Sequence, residues 1–281
     1  MTNSHLPNSS GAIAFIGGGN MARSLIGGLV ARGRSAADVR VAEPVPALRE
    51  ALQGDFGVAC FDHAEAAADG AAVWVLAVKP QVMREVCAGL APLARAQRPV
   101  VVSIAAGITA AQLSRWLDSP DLAIVRAMPN TPALLGAGIT GLYANAHVDA
   151  TQRAQASTLL EAVGPTVWID DEHQMDAVTA VSGSGPAYVF LLAEAMQAAG
   201  VAQGLTAEAA RALVQQTLLG AATMLTRLDE PADVLRARVT SPGGTTQAAI
   251  ETFEAGGFRD LVARAIAAAT ERGRQLSAAN D

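Results

Sequence analysis

Residues 12–33 read AIAFIGGGNMARSLIGGLVARG, and their pattern indicates how the first domain is built. The apolar run Ala12–Ile16 predicts a short buried strand, and the apolar residues after the glycines recur with helical spacing. Gly17 allows a tight turn between the two elements, and Gly19 lets a pyrophosphate approach the backbone. Ala22 is small enough for the helix to pack on the strand. The stretch therefore predicts a strand, a phosphate-binding turn and a helix, the beginning of a dinucleotide-binding domain.

An acidic residue closes the second predicted strand. The run Val39–Ala42 ends at Glu43, where a carboxylate can accept a hydrogen bond from the adenosine ribose 2′-hydroxyl of NAD. The same charge would repel a 2′-phosphate, so Glu43 predicts that NADH is used at least as well as NADPH. The alternative is a solvated carboxylate in the loop before Pro44.

Short runs rich in Val and Ile alternate with helical stretches through the first part of the chain. This rhythm is typical of βαβ units and predicts an α/β fold with a mainly parallel, Rossmann-type sheet. After residue 171 no strand is predicted, and the rest reads as helices. We therefore expect a dinucleotide-binding domain over residues 11–171 and a helical domain over 172–281. The further predicted strands are residues 73–78, 100–104 and 124–128, with 138–143 and 166–169 as edge strands.

The stretch 188–199, YVFLLAEAMQAA, is apolar on nearly every side of the predicted helix. A helical domain of this size can hardly bury such a helix alone. We therefore expect a second copy of the chain to cover it, in a homodimer or a higher oligomer of dimers.

Lys79 is the only lysine in the chain and directly follows the predicted strand WVLAV. Ligands of open α/β sheets bind at the carboxyl ends of the strands, where residues 103–107 and 128–132 also lie. A compact ammonium is not interchangeable with a guanidinium, so Lys79 is a candidate cofactor residue, with an incidental surface lysine as the alternative. Asn130 and Thr131 could fix polar groups at the same edge.

Composition argues against several functional classes. The formal net charge is −6 and no basic run occurs, so we expect no nucleic-acid partner. No continuous apolar window is long enough to span a membrane, and the polar start lacks the order of a signal peptide, so the expected location is cytoplasmic. The two cysteines, Cys60 and Cys87, and the scattered histidines His5, His63, His147 and His173 predict no metal site.

Two turns in the predicted helical domain, residues 172–281, carry hydroxyls and glycines. Residues 181–186, VSGSGP, precede the apolar helix, and residues 240–246, TSPGGTT, precede another helical pattern. Free N–H groups, hydroxyls and a helix N-terminus together form a site for a small anion such as a carboxylate. A simple helix cap would need only one of these hydroxyls.

Six blocks of the sequence together resemble the pyrroline-5-carboxylate reductase family, and the resemblance runs from about residue 12 to 275. The six blocks are FIGGGNMA from residue 15, LAVKPQ from 76, VVSIAAGIT from 101, RAMPNTPA from 126, VSGSGPAYVF from 181 and VTSPGGTTQAAIE from 239. The resemblance implies NAD(P)H-dependent reduction of Δ1-pyrroline-5-carboxylate to L-proline, the final step of proline biosynthesis. It also implies an active site at a dimer interface between the nicotinamide and the SPGGTT loop.

The resemblance also implies roles for individual residues. The SPGGTT residues would bind the substrate carboxylate, and Thr246, as the catalytic candidate, would contact the ring nitrogen. Many members carry small polar or basic residues where this chain has Glu43, Pro44 and Val45, so the choice between NADPH and NADH stays open. The expected carboxylate-binding residues are Ser241, Gly243, Gly244 and Thr245, and the expected cofactor-binding residues are Gly17, Gly18, Gly19, Asn20, Met21, Glu43, Val78, Lys79, Pro80, Ala105, Ala106, Gly107 and Asn130.

Two other classes share part of this pattern. A 3-hydroxyacid dehydrogenase has a similar layout but uses a lysine in its helical domain, and residues 172–281 contain no lysine. A redox-sensing dinucleotide-binding protein without catalysis would need no carboxylate pocket. Turnover of substrate to proline separates it from an enzyme.

Overall fold

The computed structural model describes residues 11–279. His5 and the polar start of the sequence, from which no signal peptide is expected, lie outside these residues. The elements are β1 (Ala12–Ile16), α1 (Asn20–Ala31), β2 (Val39–Ala42), α2 (Pro46–Phe56), β3 (Ala59–Phe61), α3 (Ala64–Ala68), β4 (Ala71–Leu76), α4 (Pro80–Gln97), β5 (Val100–Ser103), α5 (Ala110–Trp116), β6 (Ile124–Met128), β7 (Thr140–Ala144), α6 (Ala150–Leu160), β8 (Thr166–Trp168), α7 (Met175–Val178), α8 (Gly185–Ala202), α9 (Ala207–Arg227), α10 (Ala232–Arg238), α11 (Thr245–Ala255) and α12 (Phe258–Ala279).

All eight strands join one sheet in the order β3-β2-β1-β4-β5-β6-β7-β8. The strands β1 to β6 run parallel, β7 is antiparallel to β6, and β8 is parallel to β7. The order of the first six strands is that of a Rossmann fold, in which the connections change direction between β1 and β4. The expected α/β class and mainly parallel sheet are confirmed. The carboxyl ends of β1, β4 and β5 meet where such folds bind their ligands.

Apolar side chains cover both faces of the sheet. On one face Phe15 packs with Leu25 and Ile26 of α1, and on the other Ile16 packs with Trp74 and residues of α3, α4 and α5. Buried strands of a parallel sheet need this cover on both sides, which explains why β1, β5 and β6 are almost wholly apolar.

The sequence explains where several helices begin. Pro46 and Pro80 each stand at the first position of their helix, where the missing N–H and the fixed φ angle are favourable. At α5 the Thr109 side chain accepts from the Gln112 amide while Gln112 accepts from the Thr109 amide, a reciprocal capping box. These signals make the α5 boundary sharp and hold the loop before it.

The predicted strands occur with small shifts of their ends, and one strand was missed. The strand predicted over residues 138–143 is not an edge strand, because β7 lies between β6 and β8. The missed strand is β3, which has only three residues and pairs with β2 alone. The prediction for β4 extended to Val78, but the strand ends at Leu76, because the chain there turns toward α4. Residues Thr179–Gly183 form a π-helical turn that was also not predicted.

The described residues form two compact units. One unit contains residues 11–184 together with 269–279, and the other contains residues 185–268. The predicted boundary at residue 171 lies before this division and stays a prediction. The expectation that helices replace strands after residue 171 is confirmed for the described part of the chain.

The helical unit exposes much of its apolar surface. Its helix α8 has no buried residue, and Phe190 and Leu191 are 61% and 66% exposed. Few side chains of this unit are buried, among them Val214 and Leu235. The single chain therefore leaves the α8 surface uncovered, as the sequence predicted for a helix that a partner covers. Within residues 11–279, no helix is sufficiently long and apolar to cross a membrane.

Candidate functional site

The β1–α1 loop is held close to the ends of two neighbouring strands. Gly17 has a φ of +106°, and its amide donates to the Ala42 carbonyl at 2.8 Å. A Cβ at Gly17 would lie 2.7 Å from the Ala77 carbonyl oxygen. Both the backbone angle and the close approach require glycine. The loop is thereby fixed against the segment that leads to Lys79.

The N-terminus of α1 is open beside this loop. Gly19 is the residue that precedes α1, and a Cβ added there would meet no atom within 4 Å. No side chain caps α1, and its first turn, which contains Asn20 and Met21, carries no acidic residue. The first N–H groups of a helix have no partner within the helix, and the helix dipole favours negative charge there. The geometry is suited to a phosphate group.

Glu43 is buried and holds the loop from the β2 side. One carboxylate oxygen accepts from the Gly18 amide and the other from the Val45 amide, both at 3.0 Å. The guanidinium of Arg49 donates to the Glu43 carbonyl at 2.7 Å and to the Pro44 carbonyl at 2.9 Å. Glu43 thus connects the glycine-rich loop to the loop after β2, a role that the sequence did not predict. A carboxylate has about four acceptor positions, so two bonds leave acceptor capacity for a ribose hydroxyl.

Two further loops lie at the same edge of the sheet. A Cβ at Gly17 would lie 3.1 Å from the Val78 side chain, and exposed Lys79 directly precedes Pro80 at the start of α4. The loop after β5 begins where the Ile104 amide donates to the Leu76 carbonyl at 3.1 Å. The members of that loop assigned to the cofactor are Ala105, Ala106 and Gly107, the last with a φ of +71°. The structure therefore brings the predicted residues of β1, β4 and β5 to one edge.

Asn130 follows β6, but its side chain is engaged within the protein. Its amide nitrogen donates to the Ser182 carbonyl at 3.1 Å, and its amide oxygen accepts from the Ile139 amide at 3.0 Å. The residue is nearly buried. Asn130 therefore ties the loop after β6 to the π-helical turn, and its assignment to the cofactor stays a prediction.

An ion pair that sequence reasoning missed lies beside the loop after β5. Arg126 in β6 is buried and donates to the Glu172 carboxylate at 2.9 Å. The same Glu172 oxygen accepts from the Ala110 amide at 2.7 Å, at the beginning of α5. Glu172 thereby joins β6, α5 and the segment before α7. Arg126 and Glu172 are far apart in sequence, and no local pattern indicates that they form a pair.

The predicted substrate residues belong to the helical unit. The Ser241 carbonyl accepts from the Gly244 amide at 3.0 Å, and Gly243 between them has a φ of +71°, as a type II turn requires. The Gly243 amide donates to the Gln247 side chain at 2.7 Å. Helix α11 follows with Thr245 and Thr246 in its first turn and no side-chain cap. The amides of the two glycines are thus engaged, whereas the first-turn N–H groups of α11 have no partner within their helix.

The predicted site residues thus divide between the two units. The cofactor set lies in the unit of residues 11–184 and 269–279, and the residues from Ser241 to Thr246 lie in the unit of residues 185–268.

Neither cysteine is prepared to act as a nucleophile. Burial raises the pKa of the Cys87 thiol to about 12 and also raises the pKa of Cys60. A thiol is nucleophilic only as the thiolate, so burial disfavours the reactive form of both groups. Among residues 11–279, no group of three or more His, Cys, Asp or Glu side chains is placed to hold a metal ion.

The Rossmann order, the glycine turn and the open N-terminus of α1 define a dinucleotide-binding oxidoreductase. A family model described as NADP oxidoreductase, coenzyme F420-dependent, matches residues 12–107, and one described as pyrroline-5-carboxylate reductase dimerisation matches residues 172–276.

Known relatives identify the family. The chain is 55% identical to a pyrroline-5-carboxylate reductase of Pseudomonas aeruginosa, over 96% of this chain and 98% of that protein. A solved pyrroline-5-carboxylate reductase of Coxiella burnetii is 41% identical with a TM-score of 0.93, over 96% of this chain and 99% of that one. A pyrroline carboxylate reductase of Plasmodium falciparum, solved with NADP bound, is 28% identical with a TM-score of 0.82, over 95% of this chain and 98% of that one. This chain belongs to the pyrroline-5-carboxylate reductase family.

Proposed function

We propose that this protein reduces Δ1-pyrroline-5-carboxylate to L-proline with NADPH or NADH, the final step of proline biosynthesis. The observation that carries the proposal is the similarity over 96% of the chain, which includes both the glycine turn and the SPGGTT segment. A member of the hydroxyacid dehydrogenases would need a lysine base that residues 172–281 lack.

The glycine turn fits a dinucleotide. The open space at Gly19 and the uncapped N-terminus of α1 would take the pyrophosphate, with Gly17, Gly18, Asn20 and Met21 around it. Glu43 would accept from the adenosine ribose. The cofactor, when bound, supplies the hydride. The residues that would border its nicotinamide half are Val78, Lys79, Pro80, Ala105, Ala106, Gly107 and Asn130.

The helical unit would hold the substrate. The first-turn N–H groups of α11 and the hydroxyls of Ser241 and Thr245 would bind the carboxylate, at the turn formed by Gly243 and Gly244. The hydroxyl of Thr246 would accept a hydrogen bond from the protonated ring nitrogen. A protonated imine is already an electrophile, so no strong enzymic acid is needed, and the residues contribute proximity and orientation.

We infer that the active assembly is a homodimer or a multiple of one. The exposed apolar surface of α8 and the match to a dimerisation model support this. The cytoplasmic location and the absence of a nucleic-acid partner stay predictions.

An assay of the purified full chain tests the proposed function. Incubation with pyrroline-5-carboxylate and either NADPH or NADH is expected to yield proline and oxidised cofactor in equal amounts. Cofactor binding without any proline would instead identify a non-catalytic redox sensor.

In the same assay, Glu43→Ser is expected to raise the NADPH/NADH ratio of kcat/KM, because it removes a negative charge near the 2′ position. An unchanged ratio would mean that Glu43 only holds the glycine loop.

Gly19→Ala is expected to weaken cofactor binding by roughly ten- to a hundred-fold, with little change in Tm. The added methyl group meets no protein atom, so the fold tolerates it, but it occupies the space assigned to the pyrophosphate. Isothermal titration with NADPH and a thermal melt measure the two effects. Gly54→Ala in α2, a position with open space and no positive φ, controls for the loss of a glycine and should leave cofactor affinity unchanged. Wild-type affinity in Gly19→Ala would place the pyrophosphate elsewhere.

A further inference from the structure

Arg49 lies beside the loop that follows strand β2. It belongs to α2, near the beginning of the helix, and its side chain is half-buried. Its Nη1 atom donates to the Glu43 carbonyl at 2.7 Å and to the Pro44 carbonyl at 2.9 Å. These two bonds hold the guanidinium against the carboxyl end of β2, where a Rossmann fold contacts the adenosine ribose of its dinucleotide.

Part of the Arg49 guanidinium remains available to a ligand. Both of its bonds come from Nη1, and within residues 11–279 the Nε and Nη2 atoms donate to no acceptor. These two nitrogens form one planar edge, which can donate two parallel hydrogen bonds to a phosphate. In Rossmann folds a carboxylate near the end of β2 accepts from the ribose 2′-hydroxyl, whereas an arginine there accommodates a 2′-phosphate. Arg49 therefore offers the donors that a 2′-phosphate requires.

The negative charge of Glu43 is partly offset at this position. Both of its carboxylate oxygens accept from backbone amides, and the side chain is buried. Because Arg49 is bonded to the Glu43 carbonyl, a positive charge lies in the same loop and opposes the carboxylate. Two other acidic side chains near Arg49, Glu50 and Asp62, are exposed, and solvent and salt screen their charges. The end of β2 is therefore less repulsive to a phosphate than Glu43 alone would make it.

We infer that Arg49 binds the 2′-phosphate of NADPH and determines how well this chain uses that cofactor. The inference rests on the dinucleotide site of the proposed function and adds a residue that distinguishes the two cofactors. Glu43 keeps acceptor capacity for the ribose hydroxyl of NADH, while Arg49 supplies donors to the phosphate of NADPH. The chain thus carries a partner for each form of the ribose.

Arg49→Met tests the inference through binding of two nucleotide fragments, 2′,5′-ADP and 5′-AMP, which differ only in the 2′-phosphate. Isothermal titration of the full chain measures both dissociation constants, and the wild-type protein is expected to bind 2′,5′-ADP more tightly. In Arg49→Met this preference should fall by about tenfold or more, because charge-assisted hydrogen bonds to the phosphate are lost. Arg49→Lys keeps the charge but not the planar edge, and its preference should lie between the two. In the enzyme assay, the NADPH/NADH ratio of kcat/KM should fall in Arg49→Met by a similar factor.

The comparison of two ligands on one protein separates phosphate binding from a structural role. Arg49 also holds the loop after β2, and damage to that loop would weaken both nucleotides equally. Arg95→Met, in the last turn of α4, removes the same charge from an exposed pair with Asp118 and should leave the preference unchanged. An equal loss of affinity for both fragments in Arg49→Met, or no wild-type preference for 2′,5′-ADP, would overturn the inference alone. Failure of the wild-type protein to bind either fragment would overturn the dinucleotide site of the proposed function together with the inference.

Discussion

Replacing Glu172 by alanine is expected to lower the free energy of unfolding by about 3 kcal/mol. The change leaves the guanidinium of Arg126 buried without its carboxylate and removes the acceptor of the Ala110 amide. Breaking one partner of a buried ion pair costs about 3–5 kcal/mol, and the lower value applies because the Glu172 side chain is 23% exposed. Chemical denaturation of the purified protein, at fixed concentration, measures the effect.

Two variants show whether the buried charge is the cause. Glu172→Gln keeps the acceptor and the size of the side chain but loses the charge, so its effect should be intermediate. Glu254→Ala breaks an exposed pair with Arg259, and surface pairs contribute little to stability. If Glu172→Ala is no less stable than Glu254→Ala, the Arg126 pair does not hold β6 and α5 together.

Because Glu172 also fixes the start of α5, Glu172→Ala should raise the KM for the cofactor.

Replacing Thr246 by alanine is expected to lower kcat/KM for pyrroline-5-carboxylate by roughly ten- to a hundred-fold. A hydrogen bond to a charged group contributes about 1.5–3 kcal/mol, and this one would align the imine carbon with the nicotinamide. Thr246 is half-buried in the first turn of α11, which no side chain caps. Steady-state kinetics with saturating cofactor measure the loss, and cofactor affinity should stay nearly unchanged.

The hydroxyl itself is tested by two matched variants. Thr246→Ser keeps the hydroxyl and should keep most of the activity. Thr252→Ala removes a hydroxyl from the same helix that already donates to the Ala248 carbonyl, and should leave kcat/KM near wild type. If the Thr246→Ala enzyme is as active as wild type, Thr246 does not contact the substrate and the substrate site lies elsewhere.

Local signals in the sequence predicted the sheet well. Strands such as β1 and β5 were found because buried parallel strands are continuous apolar runs bounded by turns. Strand β3 was missed because its three residues, Ala59–Phe61, are too short to show a pattern. The π-helical turn at Thr179–Gly183 was missed because Ser182 and Gly183 are typical of a turn rather than of a helix.

The sequence predicted where the candidate site lies, but not which side chains bond to one another there. The glycine turn and the sheet edge near Lys79 were predicted because their motifs consist of residues close together in the sequence. The bonds of Glu43 to Gly18 and of Asn130 to Ser182 depend on how distant segments meet, which spacing alone does not show. Both side chains were assigned to the cofactor, and both have structural partners that the sequence did not reveal.

The division of the chain also affects the order in which it can be completed. The dinucleotide-binding unit includes residues 269–279, where the Ser277 carbonyl accepts from the Gln112 side chain at 3.3 Å. Residues 185–268 are therefore translated before the last segment of the unit that precedes them. On the ribosome, the first unit cannot acquire all its native contacts until residues 269–279 have been made, although domains generally fold in order from the N-terminus. A message truncated after codon 268 would encode the whole helical unit and an incomplete dinucleotide-binding unit.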